Sequence, residues 1–155
     1  MEELLQRLLS RDEGYRRCAY TDSLGYWTIG IGRLIDSRKG GGVSVSEALY
    51  LLENDVAVKV RMLEAQLPWF ATLDPVRRAV LVSMAFQLGV AGLMGFHHTL
   101  AAAAVGDWDT AASAMLTSRW AQQAPLRSHR LSEAMRTGDE AAFQLAEDPP
   151  PVLSY

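Results

Sequence analysis

Apolar residues recur at helical spacing at the start of the chain. Leu4, Leu5, Leu8 and Leu9 fall on one face of a helix over residues 2–12, and Gly14 suits its end. The rhythm then changes. Between 18 and 35 the apolar positions come as short extended pieces broken by Gly25, Gly30 and Gly32. This predicts a small antiparallel sheet, with its first turn at Ser23-Leu24-Gly25 and kinks or close backbone approaches at Gly30 and Gly32. A flexible tip follows at Arg38-Lys39-Gly40-Gly41-Gly42. Ser44-Val45-Ser46-Glu47 then has the spacing of a capping box, in which the serine hydroxyl and the glutamate satisfy each other's backbone amides. It opens a long helix over about 45–65 with Ala48, Leu49, Leu52, Val56 and Leu63 as apolar positions.

The second half reads as helices alone. Asp74-Pro75 is a helix start, an aspartate cap before a proline in the first turn. From Val76 to Phe86 hardly any polar face remains, so this helix belongs at the centre of a core, and Gly89 ends it. Asp107 caps a helix holding Trp108, Ala111, Ala112 and Met115. Pro125 opens another that reaches Met135, and Asp139 caps a last short one. Asp148-Pro149-Pro150-Pro151 cannot pack regularly, which makes 148–155 a frayed tail.

Composition narrows the class. A chain of 155 residues is about one domain, and 49% apolar against 21% charged residues excludes disorder. A net charge of −3 gives no global pull toward nucleic acid or anionic membranes. The single cysteine, Cys18, forbids an internal disulfide and is expected as a half-buried residue at the helix–strand junction. No export signal is legible at the N-terminus, and no stretch nears the ~18 apolar residues that a membrane span requires. His97-His98 is no metal site, since adjacent helical residues do not converge on one ion.

The chemistry sits where the pattern switches. Glu13 closes the first helix, Asp22 stands on the hairpin, and Thr28 follows on the next strand. A carboxyl at a helix end, a second on a hairpin and a nearby hydroxyl are the parts of a glycosidase: one acid protonates the leaving oxygen and one base handles water. The donor must keep its proton at working pH, which calls for partial desolvation of Glu13; Tyr20 and Trp27 are placed to help exclude water.

The order Glu13-Gly14…Tyr20-Thr21-Asp22-Ser23-Leu24-Gly25-Tyr26-Trp27-Thr28-Ile29-Gly30-Ile31-Gly32 resembles the phage-type lysozymes, glycoside hydrolases that cut bacterial cell walls. Phe86-Gln87-Leu88-Gly89 resembles that family's helix end, and Ser118-Arg119-Trp120 with Pro125 and Arg127 resembles a third block. The resemblance implies an α+β, mostly helical, lysozyme-like fold. A small three-stranded antiparallel sheet lobe (about 14–64, with the linking helix) joins a larger helical lobe (1–13 plus 65–147) in a single domain. It implies Glu13, Asp22 and Thr28 as catalytic residues, and inversion, with carboxyls roughly 6.5–9.5 Å apart around the attacking water. It implies substrate contacts at Leu34, Phe86, Gln87, Thr99, Arg119 and Arg127, the last beside the Glu13 carboxyl, and a loss of polar contact at Ala114.

The implied reaction is cleavage of the β-1,4 bond between N-acetylmuramic acid and N-acetylglucosamine in peptidoglycan, without metal or cofactor. The implied partners are glycan strands and a holin, which lets a monomeric enzyme pass from the host cytoplasm to the periplasmic wall. Arg33 stands where the family often has histidine, and an Arg33–Asp55 ion pair is expected to tie the sheet to the long helix. Two other readings are a non-catalytic peptidoglycan-binding module and a structural component of a phage tail. A third, membrane disruption by the basic helix 125–136, is weaker.

Overall fold

The computed structural model describes residues 2–38 and 42–144. The expected tail at 148–155 and the glycine tip around Gly40 and Gly41 lie outside the described residues. Two compact units divide the chain, Met1–Leu51 and Leu52–Tyr155.

The first unit opens with helix α1 (Glu2–Glu13), followed by strands β1 (Arg16–Thr21), β2 (Trp27–Gly30) and β3 (Arg33–Leu34). They form one antiparallel sheet in the order β1-β2-β3. Tyr20 pairs with Thr28, and Thr28 in turn with Leu34, so Thr28 holds the centre of the sheet and is 5% exposed. The register of β1 shifts between Arg16 and Tyr20, in the stretch that separates Glu13 from Asp22. Cys18 lies exposed within β1 rather than half-buried at a junction, because the strand starts two residues earlier than the apolar pattern indicated.

Helix α2 (Val45–Gln66) starts at the expected capping box. The Ser44 amide donates to Glu47 Oε2 at 3.0 Å, and the Glu47 amide donates back to Ser44 Oγ at 3.4 Å. Glu47 also forms the ion pair with Arg33, which corrects the expected partner, Asp55. The cap holds the Glu47 carboxylate at the N-terminus of α2, and there it meets the guanidinium.

The second unit is helical. It comprises α3 (Pro75–Met94), α4 (His97–Ala104), α5 (Trp108–Leu116), α6 (Arg119–Gln123) and α7 (Pro125–Thr137), with short 3-10 turns at Phe70–Thr72 and Glu140–Gln144. The family-type fold class is therefore as expected. Helices α4 and α6 escaped the sequence reading, since alanine runs and five-residue helices carry little periodicity.

Helix α3 is the core helix: Val80, Leu81, Met84 and Ala85 are fully buried, and each large side chain contributes about 1.5–3 kcal/mol. It is also long and apolar enough to cross a membrane by length and composition, contrary to the sequence reading. Its buried face and its break at Gly89 assign those apolar residues to the core. Gly89 sits at φ 74°, ψ 158°, a conformation that favours glycine, so the helix stops there and resumes toward Met94.

Arg77 fastens three of these helices. It donates to Asp74 Oδ2 at 2.8 Å and to the Met135 carbonyl at 2.8 Å, and it stacks 4.1 Å above the Trp108 ring. Desolvation of Asp74 works to raise its pKa, but hydrogen bonds from the Arg77 amide and guanidinium outweigh it and hold the carboxyl below its ordinary range.

Candidate active site

Two of the predicted site residues, Asp22 and Thr28, gather around one residue of the first unit, Tyr26. The Asp22 carboxylate accepts from the Leu24 amide at 2.9 Å and from the Tyr26 amide at 2.8 Å, the Asx geometry of a tight turn. The Tyr26 carbonyl accepts the Asp22 amide at 2.9 Å and the Thr28 hydroxyl at 3.4 Å. Tyr26 thus ties Asp22 and Thr28 together through its backbone. Asp22 Oδ1 accepts both of these turn bonds. Leu34 stands beside Thr28 on β3 and is 41% exposed.

Glu13 reaches the same sheet from the other end of β1. Its side chain lies against Gly32, just past β2, and lines an open cleft with Gln6, Leu9, Ser10 and Ile31. Gly32 is the close backbone approach that the glycine pattern predicted. Glu13 is exposed, and so is Trp27, whereas Tyr20 is half-buried.

The second unit divides its predicted residues between two cavities. Phe86 and Arg127 line an apolar one of about 500 Å³, where Arg127 donates to Ser83 Oγ at 2.9 Å. Phe86 is 44% exposed, so it presents its ring rather than serving the core. Thr99 and Arg119 line the other, of about 490 Å³. Ala114 and Trp120 line it too. Gln87 is exposed as expected, but its Oε1 accepts the Trp120 indole N–H at 2.9 Å. Trp120, 4% exposed, also packs edge-on against Phe96. The sequence reading missed Tyr26 and Ser83. Tyr26 acts through backbone groups that every residue carries, and Ser83 is one small polar residue in an apolar helix. Among the described residues no group of three acidic, histidine or cysteine side chains is placed to hold a metal ion.

A small antiparallel sheet bearing an Asx-held aspartate, with a helix-end glutamate against the same sheet and a helical unit following, defines the lysozyme-like α+β class. Comparison with known proteins agrees. The phage lysozyme family matches residues 10–133. Probable T4-type lysozyme 1 of Dictyostelium discoideum is 30% identical over 93% of this chain and 100% of its own length. Probable T4-type lysozyme 2 of the same organism is 29% identical over 89% and 96%. Pre-baseplate central spike protein Gp5 of Enterobacteria phage T4 is 31% identical over 90% of this chain but only 28% of its own length. The chain belongs to the phage lysozyme family and is a glycoside hydrolase of muramidase type.

Proposed function

We infer that the enzyme hydrolyses the β-1,4 bond between N-acetylmuramic acid and N-acetylglucosamine in peptidoglycan by a single displacement. Glu13 protonates the leaving glycosidic oxygen. Asp22 orients a water on the opposite face of the sugar through its Oδ2 atom and stabilises the positive charge that develops on the ring. Thr28 holds that water. The glycan strand, laid over the open cleft at Glu13, excludes water from the carboxyl. Leu34, Phe86, Gln87, Thr99, Arg119 and Arg127 contact the saccharide or its substituents.

The observation that carries this reading is the joint fixation of Asp22 and Thr28 by Tyr26, on the sheet whose far end holds Glu13, within the family-matched residues. The test has two parts. Muropeptide analysis after digestion reads N-acetylmuramic acid at the new reducing end; N-acetylglucosamine there overturns the bond assignment. Proton NMR of the first product reads the α-anomer; a β-anomer means retention and removes the single displacement.

In its biological setting the enzyme lyses a bacterial host once a holin has permeabilised the membrane. Cells expressing it stay intact until chloroform is added and then clear; clearing without permeabilisation contradicts that dependence. The match to Gp5 favours a second reading, in which the same lysozyme fold serves within a phage particle. Recovery of the chain from purified particles, rather than from the soluble lysate, supports that alternative.

A further inference from the structure

A hollow of about 250 Å³ in the second unit contains none of the residues assigned to cleavage or substrate contact. Trp69, Thr72, Asp74, Gly106 and Trp108 are among those that line it. Both tryptophans are half-buried: each packs against the core and also borders the hollow. An indole offers a broad apolar face rich in negative charge density, which suits the weakly positive C–H bonds on the face of a sugar ring. The polar groups are acceptors. Thr72 gives its hydroxyl hydrogen to the Trp69 carbonyl at 2.7 Å, so its oxygen is left to accept. Asp74 takes one bond on each oxygen, from the Arg77 amide at 3.0 Å and from the Arg77 guanidinium at 2.8 Å. A carboxylate has about four acceptor positions, so more are left for a ligand. Every sugar hydroxyl has a hydrogen to give them.

Charge and size narrow the ligand. Arg77 already neutralises Asp74, so the carboxylate asks for no further cation. No Lys, Arg or His lines the hollow among the described residues, so an anion finds no partner there. A neutral ring with hydroxyls at its edge and an apolar face fits what remains. The volume falls below the roughly 300–1,000 Å³ of clefts that hold drug-sized ligands, which leaves room for one ring rather than a strand. Arg77 also braces two walls at once: it holds Asp74 and stacks on the Trp108 ring. A site braced in this way loses little freedom on binding. We propose that this hollow is a second saccharide site, which holds one neutral N-acetylglucosamine ring of the wall glycan and keeps the enzyme on its insoluble substrate. The proposal rests on the peptidoglycan reading and extends it. N-acetylmuramic acid differs from that sugar by a lactyl carboxylate, which the Asp74 wall disfavours.

The test titrates wild type with the methyl β-glycoside of each sugar, neither of which contains a bond between two sugars. The chain has four tryptophans, and NMR follows their indole N–H signals. N-acetylglucosamine is expected to shift Trp69 and Trp108 with one common Kd, and N-acetylmuramic acid to bind there at least about fivefold more weakly. No shift at Trp69 and Trp108 overturns the proposal, and equal affinity for the two sugars contradicts the neutral ligand. Trp69→Ala, placed in the inactive Glu13→Gln chain, should lower retention on insoluble wall by about fivefold, since one of two attachments is lost. With Glu13 intact, Trp69→Ala should slow wall lysis and leave the cutting of a soluble tetrasaccharide fragment unchanged. Undiminished retention overturns the proposal. An equal loss of rate on wall and fragment gives Trp69 a structural role and contradicts it. Should Trp69→Ala fold poorly, the wild-type titration decides alone. Shifts at Trp69 and Trp108 in a wild type that cuts no wall strike the hydrolase reading and support the saccharide site.

Discussion

Gly32 leaves the space that Glu13 fills. A β-carbon at position 32 lies 2.8 Å from Glu13 Oε2 and 3.2 Å from its carboxyl carbon, closer than side chains tolerate. Gly32 also sits at φ +64°, where other residues are strained. Two demands, one of the backbone and one of the carboxyl, therefore meet at one glycine.

Gly30 separates them. It has nearly the same backbone, φ +67°, yet nothing lies within 4 Å of its missing β-carbon. Gly30→Ala and Gly32→Ala should each lower stability by about 1–2 kcal/mol. Only Gly32→Ala should also lower kcat, by about tenfold or more, because a displaced acid is a poor acid. Melting curves and wall-lysis rates on the two variants check this; equal activity loss in both assigns the effect to backbone strain.

The Arg33–Glu47 pair predicts a specific pattern of coupling. Arg33 is 60% exposed, so the pair is worth about 1 kcal/mol or less. Glu47→Ala should cost more than Arg33→Ala, because it also opens the capping box at Ser44. A double-mutant cycle measured by urea unfolding should find coupling between Arg33 and Glu47 and none between Arg33 and Asp55.

Asp74 gives the second unit a pH dependence. Its folded-state pKa lies below the ordinary value of 3.8, so its carboxylate is preferred in the folded chain. That contribution is fully present above 3.8 and is lost as pH falls through the lower folded value. Asp74→Asn keeps a good helix cap but loses the charge facing Arg77, and should therefore destabilise modestly at neutral pH. The gap to wild type should close in acid, as followed by thermal melts across the range.

Much of this fold was legible because local signals agreed with each other. Ser44 and Glu47, Asp74 and Pro75, and Asp107 each announced a helix start that the structure keeps. The order of Glu13, Asp22 and Thr28 was legible for a similar reason: the hydrophobic period changes between them, so their elements could be assigned before any contact was known. What stayed hidden depends on partners far apart in the chain. The Trp120 indole on Gln87, and the Arg127 guanidinium on Ser83, join residues separated by 33 and 44 positions. The exchange of Asp55 for Glu47 as partner of Arg33 was missed because Glu47 was read only as a cap, although a carboxylate has lone pairs enough for both tasks.

The central claim is that Glu13 supplies the proton. Glu13→Gln keeps the shape of the side chain and removes its acid, and it leaves the space beside Gly32 filled as before. The account predicts that this variant melts within a degree or two of wild type and loses at least about a hundredfold in wall-lysis rate. Turbidity that falls at the wild-type rate with Gln at position 13 would contradict it.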